Sequence, residues 1–119
     1  MIVAGIDCGA KNTKTVIMKD GEIIGMSKVL TGFDPKTAVE ESLAAATQSA
    51  GIQREDIEKI GCTGSGKDGI EMADRKVNDI KAMSKGARCF FRTAGTVADV
   101  GAEEGRAVRI GDDGTVEDF

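Results

Sequence analysis

Histidine is absent from this 119-residue chain, so no mechanism that needs an imidazole base can operate with the residues of the chain alone. Tryptophan and tyrosine are absent as well, and with four phenylalanines the core must consist mainly of aliphatic side chains and methionine. One proline stands against sixteen glycines, a composition that predicts many tight turns. No apolar run approaches the roughly 20 residues needed to cross a bilayer, and the N-terminus has no signal-peptide pattern. We therefore expect a cytoplasmic protein without a membrane partner.

Cysteines are few, and positive charge does not exceed negative charge. The three cysteines, Cys8, Cys62 and Cys89, form no C-x-x-C pair, and an odd number without a framework indicates reduced thiols and no metal site. The net charge of −4 leaves no overall basic field, which disfavours nucleic acid as a partner. What remains is the composition of a globular chain about one ordinary domain long.

The first informative motif is an Asp-x-Gly turn that follows an apolar strand at residues 2–6. Gly9 lets the main chain approach a ligand closely, and a tight turn there aims N–H groups into an anion-binding nest. Lys11 and Lys14 add positive charge, and Asp7 can hold a Mg²⁺ ion through its waters. We predict a phosphate cradle here, with a plain β-hairpin and wide loop as the alternative. The predicted binding residues are Gly9, Ala10, Lys11, Asn12, Thr13 and Lys14.

The same pattern occurs a second time at residues 97–108, and the two copies align without a gap. Asp7 corresponds to Asp99 and Gly9 to Gly101, and both copies then turn through Asp-Gly, a strong hairpin signal. Because internal repetition determines architecture, we predict two related lobes that each offer a loop to a shared cleft. Asp7 and Asp99 would then face one another and hold Mg²⁺ through its waters.

The two loops differ in charge. Lys11 of the first copy corresponds to Glu103 of the second, and acidic side chains repel a polyphosphate unless a cation intervenes. The second loop is therefore better suited to Mg²⁺ or to a water beside the terminal phosphate. A solvated acidic turn at Glu103 and Glu104 is the alternative. We predict Asp7, Asp99 and Glu103 as catalytic residues, with Gly101 and Ala102 as further binding residues.

Two helices are predicted outside the repeats. Asp34 is a candidate N-cap, Pro35 the first helical position, and Gly51 the left-handed residue that ends the helix. Apolar residues at helical spacing predict a second helix from about Val77, followed by a connector over residues 88–92.

A strand predicted over residues 56–63 leads into the segment Thr63–Lys67. Its spacing fails the P-loop pattern, so we interpret it as a strand-to-helix turn at the rim of the cleft. The second repeat predicts strands over residues 96–100, 106–110 and 115–119. Nothing follows to cover that small sheet, so we expect the chain to be truncated or a partner to complete it.

With these motifs in order, the chain resembles the actin-like ATPase superfamily. Within it, the likeness is to the ATPase subunits of benzoyl-CoA reductase and the activators of 2-hydroxyacyl-CoA dehydratases, and residues 101–109 look especially like the reductase subunits. The motifs are Gly5–Gly9 with Lys14, Thr63–Gly66 followed by Lys67, and Asp99–Gly101. The resemblance implies an α/β fold. Residues 1–92 would form a ribonuclease H-like lobe with a mixed sheet and helices, and residues 93–119 the opening β-hairpin unit of a second lobe.

The resemblance further implies a subunit that couples ATP hydrolysis to low-potential electron transfer. Its cofactors would be ATP and Mg²⁺, and its partners a homologous ATPase subunit and the acyl-CoA-reducing or dehydratase subunits. In the family two such subunits clamp a [4Fe–4S] cluster, but none of the cysteines in this chain matches its ligands. Gly101-Ala102-Glu103 stands where the activators have Gly-Gly-Gln, which changes the side chain available to position water. A sugar- or acetate-type kinase and a non-catalytic nucleotide-binding regulatory subunit are the alternatives.

Overall fold

The structure, a computed structural model, describes residues 1–93, 95–100, 105–111, 113 and 115–118. The chain divides into two compact units, residues 1–76 and 77–119. The first unit contains strands β1 (Ile2–Cys8), β2 (Asn12–Lys19), β3 (Glu22–Leu30), β4 (Lys59–Thr63) and β5 (Arg75–Lys76), helix α1 (Pro35–Ala50), and 3-10 turns at Arg54–Asp56 and Lys67–Gly69. The second unit contains helix α2 (Asp79–Phe90) and strands β6 (Thr96–Val100), β7 (Gly105–Ile110) and β8 (Val116–Asp118).

The first unit is built on a five-stranded mixed sheet in the order β3-β2-β1-β4-β5. The first three strands form an antiparallel meander, and β4 returns parallel to β1 after the chain has crossed over through α1. The parallel pairing places the carboxyl ends of β1 and β4 at one edge of the sheet. The predicted mixed sheet with helices is confirmed.

Helix α1 covers one face of this sheet. Val39, Leu43 and Ala46 of the helix, whose spacing places them on one helical face, are buried against it. Gly25 makes the close approach possible, because a Cβ atom there would lie 2.6 Å from the carbonyl oxygen of Ala46. Each large apolar side chain buried in this way contributes about 1.5–3 kcal/mol relative to exposure.

The predicted ends of α1 are confirmed. The helix begins at Pro35, and Gly51 ends it at a φ of 70°, donating its N–H to the carbonyl of Gln48 at 3.1 Å. Asp34 occupies the N-cap position. Its carboxylate accepts a hydrogen bond from the hydroxyl of Thr37 at 2.6 Å, and it makes no capping hydrogen bond to a backbone N–H. That hydroxyl holds the pKa of Asp34 below its ordinary value.

A polar seam joins α1 to the sheet. The hydroxyl of Ser42 on the helix lies 2.7 Å from that of Thr15 on β2 and 2.8 Å from that of Ser27 on β3. Ser42 and Thr15 are buried, so each hydroxyl needs its partners in the interior. The spacing of apolar residues does not predict this seam.

In the second unit α2 packs against a three-stranded antiparallel sheet in the order β6-β7-β8. Asn78 caps the helix by accepting the backbone N–H of Lys81 at 2.8 Å. Val108 and Ile110 of β7 are buried. The predicted three-strand unit is therefore present. The boundary between the compact units in the sequence falls between residues 76 and 77. The proposed division into lobes between residues 92 and 93 stays a prediction.

Two predicted boundaries were wrong. The strand predicted from Asp56 begins at Lys59, because the carboxylate of Asp56 accepts the N–H of Gln53 at 2.8 Å and closes a 3-10 turn first. The connector predicted over residues 88–92 is shorter, because α2 continues to Phe90. In the part of the chain that the structure describes, no helix is long and apolar enough to cross a membrane.

Candidate functional site

The predicted phosphate cradle is a tight hairpin loop of residues 9–11 between β1 and β2. The N–H of Gly9 donates to the carbonyl oxygen of Asn12 at 3.0 Å. A Cβ atom at Gly9 would lie 2.8 Å from the same oxygen, closer than side chains come, so the loop needs glycine at this position. Ala10 and Lys11 at its tip are exposed to solvent.

Thr31, directly after β3, stabilises this loop through two hydrogen bonds. Its backbone N–H donates to the carbonyl of Lys11 at 2.9 Å, and its hydroxyl donates to the carbonyl of Gly9 at 2.8 Å. The hydroxyl of Thr13 lies 2.9 Å from that of Thr31, and both side chains are buried. The side chain of Thr13 therefore supports the loop from the interior, and the predicted part of Thr13 in phosphate binding stays a prediction. The sequence offered no signal for Thr31.

Asp7 and Lys14 face each other across the β1–β2 pair at the edge where the loop lies. The amine of Lys14 is 3.8 Å from the Oδ2 atom of Asp7, and the two side chains are 54% and 43% exposed. An ion pair this exposed contributes at most about 1 kcal/mol. This ion pair can therefore open at little cost when a ligand with its own charges arrives.

A third segment, Thr63–Gly66, closes on the end of β1. Gly64 has a φ of +95°, and a Cβ atom there would lie 2.4 Å from the carbonyl oxygen of Cys8 and 2.6 Å from Oδ1 of Asp7. Gly66 donates its N–H to the same carbonyl of Cys8 at 3.0 Å. The two glycines thus let the segment lie against Asp7 and its neighbour. A 3-10 turn follows in place of the predicted helix, and the segment is not a P-loop.

The second loop repeats the register of the first. Asp99 pairs with Arg106 across β6 and β7 as Asp7 pairs with Lys14 across β1 and β2. The side chain of Asp99 lies outside the described residues, and so does the whole of Gly101, Ala102 and Glu103. Their predicted roles stay predictions, and so does a Mg²⁺ ion between Asp7 and Asp99.

The side chains available as metal ligands determine which cofactors fit. Among the described residues no three His, Cys, Asp or Glu side chains gather into a group that could hold a metal. A single carboxylate such as Asp7 still suits Mg²⁺, which keeps its waters and takes its other ligands from phosphate. The cysteines do not suit an iron–sulfur cluster. Cys8 and Cys62 are buried, Cys89 is exposed, and burial raises the pKa of the Cys62 thiol.

These features define the class of the protein. The meander, the crossover through α1 and the Asp-x-Gly hairpin repeated in a second unit make up the actin-like ATPase fold. The chain belongs to the BadF/BadG/BcrA/BcrD ATPase family, whose sequence profile matches residues 4–119. The family resemblance predicted from the motifs is confirmed.

Several relatives are known by function. The activator of lactoyl-CoA dehydratase from Anaerotignum propionicum is 31% identical over 100% of this chain and 46% of its own length. One of the subunits of benzoyl-CoA reductase from Thauera aromatica is 28% identical over 99% of this chain and 43% of its own length. The chain thus spans less than half the length of either relative.

Solved structures agree with this assignment. The activator of the 2-hydroxyisocaproyl-CoA dehydratase from Clostridium difficile, with bound ADPNP, superposes with a TM-score of 0.91 at 25% identity, over 100% of this chain and 44% of that one. A glucokinase from Streptomyces griseus superposes with a TM-score of 0.68 at 16% identity, over 98% of this chain and 46% of that one. The second likeness shows the fold alone.

Proposed function

We propose that this chain is the phosphate-binding part of a subunit that binds and hydrolyses Mg·ATP and drives low-potential electron transfer to an acyl-CoA dehydratase or reductase. The observation that carries the proposal is the edge of the first sheet. There a tight glycine turn, a half-exposed carboxylate and two lysines lie together in a chain of an ATPase family. The ADPNP bound to the dehydratase activator of the same fold supports a nucleotide as the ligand.

In this proposal the first loop binds the phosphates. The exposed residues Ala10 and Lys11 offer backbone amides, and the amines of Lys11 and Lys14 neutralise the phosphate oxygens. Lys14 exchanges Asp7 for a phosphate oxygen, and Oδ2 of Asp7 would then accept a hydrogen bond from a water of the metal ion. Mg²⁺, when bound, offsets the charge that develops on the transferred phosphoryl group.

The second loop would complete the site. Asp99 and residues 101–103 are proposed to approach the γ-phosphate, with Glu103 accepting a proton of the attacking water. The identical strand register of Asp7 with Lys14 and of Asp99 with Arg106 supports equivalent roles for the two hairpins. The cysteines described above do not fit a [4Fe–4S] cluster, so we assign no step of electron transfer to residues of this chain.

The partners follow from the named relatives. One relative activates a dehydratase and another belongs to a reductase, which supports an acyl-CoA-processing enzyme as a partner. A homologous ATPase subunit as a second partner rests on the family resemblance. The sugar-kinase alternative has the shared fold in its favour and no further observation.

ATP turnover tests the proposal. We expect Mg-dependent hydrolysis in the presence of the acyl-CoA partner, and a loss of about 10²-fold in kcat for Asp7→Asn, the scale for one electrostatic contact to a transition state. Glu41→Gln, at an exposed carboxylate on α1, is the matched control and should leave turnover unchanged. Failure of the full-length protein to bind ATP would overturn the proposal. Turnover only with a sugar would favour the kinase, and binding without turnover a regulatory subunit.

A further inference from the structure

A groove of about 580 Å³ opens in the first unit between the start of α1 and the segment after β4. Val39 and Ile70, which line it, are buried, and Pro35 and Met72 add exposed apolar surface. The volume lies within the range of binding pockets in proteins. None of the residues proposed to hold phosphate or Mg²⁺ lines this groove, so the proposed ATP site does not account for it.

The net charge around the groove is negative. Four exposed carboxylates and one exposed amine line it: Asp34, Glu40, Asp68, Glu71 and Lys36. Lys36 is 3.7 Å from Glu71, and Lys76, outside the lining, is 4.0 Å from Asp68, so lysines offset these two carboxylates and Asp34 and Glu40 remain in excess. The N-terminus of α1 adds only about half a positive charge. A phosphate-bearing ligand such as a nucleotide or a coenzyme A thioester is therefore disfavoured here, and a cationic one is favoured.

The apolar surface continues beyond the groove. Phe33, which immediately precedes the lining residue Asp34, is fully exposed. Exposed aromatic side chains beside an apolar groove are typical of surfaces that bind another protein. A groove with apolar walls and an acidic border suits an amphipathic segment whose apolar side chains enter while its basic side chains meet the carboxylates.

We propose that this groove docks a segment of a partner protein that carries one or two large apolar side chains flanked by lysine or arginine. The occupant is a partner and not a second copy of this chain, because a second copy carries the same net charge of −4 and the same acidic border. The docking does not depend on nucleotide binding at the first loop.

A designed peptide tests the assignment. The probe is a fluorescein-labelled helical peptide of leucine, phenylalanine, lysine and arginine with its apolar residues on one face, titrated against the full protein by fluorescence anisotropy. A second peptide has the same composition in shuffled order, without the apolar face. We expect the first peptide to bind more tightly than the shuffled one, to lose affinity with rising salt, and to shift backbone resonances of the groove residues.

Charge reversal provides the matched variants. Glu40→Lys and Glu71→Lys alter exposed carboxylates of the groove, and Glu41→Lys makes the same change at an exposed position of α1 outside it. Each groove variant should weaken peptide binding by about 2–10-fold, and the control by less than about 2-fold. Circular dichroism checks that all three remain folded.

Several results would overturn the proposal. These are no binding of the probe up to about 1 mM, equal binding of the shuffled peptide, or equal losses for Glu41→Lys and Glu40→Lys. Resonance shifts confined to residues outside the groove would do the same. Self-association of the protein that Glu40→Lys abolishes would assign the groove to a second copy instead.

Discussion

Gly64 is the residue whose replacement tests most directly how the site is held. Its backbone has a φ of +95°, and the position of its absent side chain is filled by the end of β1. In Gly64→Ala the new Cβ atom would lie 2.4 Å from the carbonyl oxygen of Cys8 and 2.6 Å from Oδ1 of Asp7. The substitution therefore combines an unfavourable backbone conformation with a collision against main chain.

The expected loss of stability follows from these two terms. An alanine in the left-handed region costs about 1–2 kcal/mol relative to glycine. To relieve the collision the segment must withdraw by about 1 Å, and such overpacking typically costs about 1–3 kcal/mol. The free energy of unfolding should thus fall by about 2–5 kcal/mol, which a domain of ordinary stability survives.

Substitutions at two other glycines separate the conformational cost from the packing cost. Gly32 has a φ of +63°, but a Cβ atom there would meet no described atom within 4 Å, so Gly32→Ala should show the conformational cost alone. Gly69 follows the same segment, has no left-handed φ and has the same open surroundings within the described chain. Gly69→Ala should leave the stability unchanged or slightly raised. Urea unfolding followed by far-ultraviolet circular dichroism gives the three values.

The same substitution should act on the proposed chemistry. A displacement of the Asp7 carboxylate by about 1 Å can cost about 10²-fold in rate, so ATP turnover by Gly64→Ala should fall by that factor at temperatures where the variant is folded. The reasoning would be refuted if Gly64→Ala lost no more stability than Gly32→Ala. If Gly64→Ala lost stability but kept full ATP turnover, the packing role of Gly64 would stand. Its role in positioning Asp7 for catalysis would then be excluded.

The remaining predictions concern individual contacts. Thr31→Val removes the hydroxyl that binds the carbonyl of Gly9, and it should lower the free energy of unfolding by about 1–3 kcal/mol in urea titrations. Gly86→Ala, within α2 and with no described atom within 4 Å of the new Cβ, should raise it by about 0.5–1 kcal/mol. Thr37→Val removes the bond that depresses the pKa of Asp34, and its effect should depend on pH.

The sign of that pH dependence follows from linkage. A carboxyl group whose pKa is lowered by folding adds stability above its unfolded pKa, and that stability is lost as the pH falls through the folded pKa. Wild type should therefore be more stable than Thr37→Val near neutral pH, and the difference should shrink below about pH 4. A difference that stays constant from about pH 7 down to pH 3 would contradict the assigned cause.

Local signals in the sequence predicted a large part of the fold. Pro35 and Gly51 mark the two ends of α1 because each constrains or frees the backbone at its own position. The repeated Asp-x-Gly pattern predicted two hairpins, and the register of Asp7 with Lys14 recurs between Asp99 and Arg106. The errors at the start of β4 and the end of α2 fall at element boundaries, where a single side-chain bond or one more helical hydrogen bond decides the outcome.

The residues that hold the site were beyond such signals. Thr31 lies at the end of β3, 22 residues from the carbonyl of Gly9 that its hydroxyl binds, and Gly64 meets Asp7 only because β4 runs parallel to β1. The local sequence determined the turns, the helix ends and the charges of the first loop, because these depend on neighbours in the chain. Only the tertiary structure decided that Thr13 faces inward, that glycines press against Asp7, and that an acidic border surrounds an apolar groove. Those contacts depend on which strands are adjacent, and residue spacing alone does not specify the order of strands in a sheet.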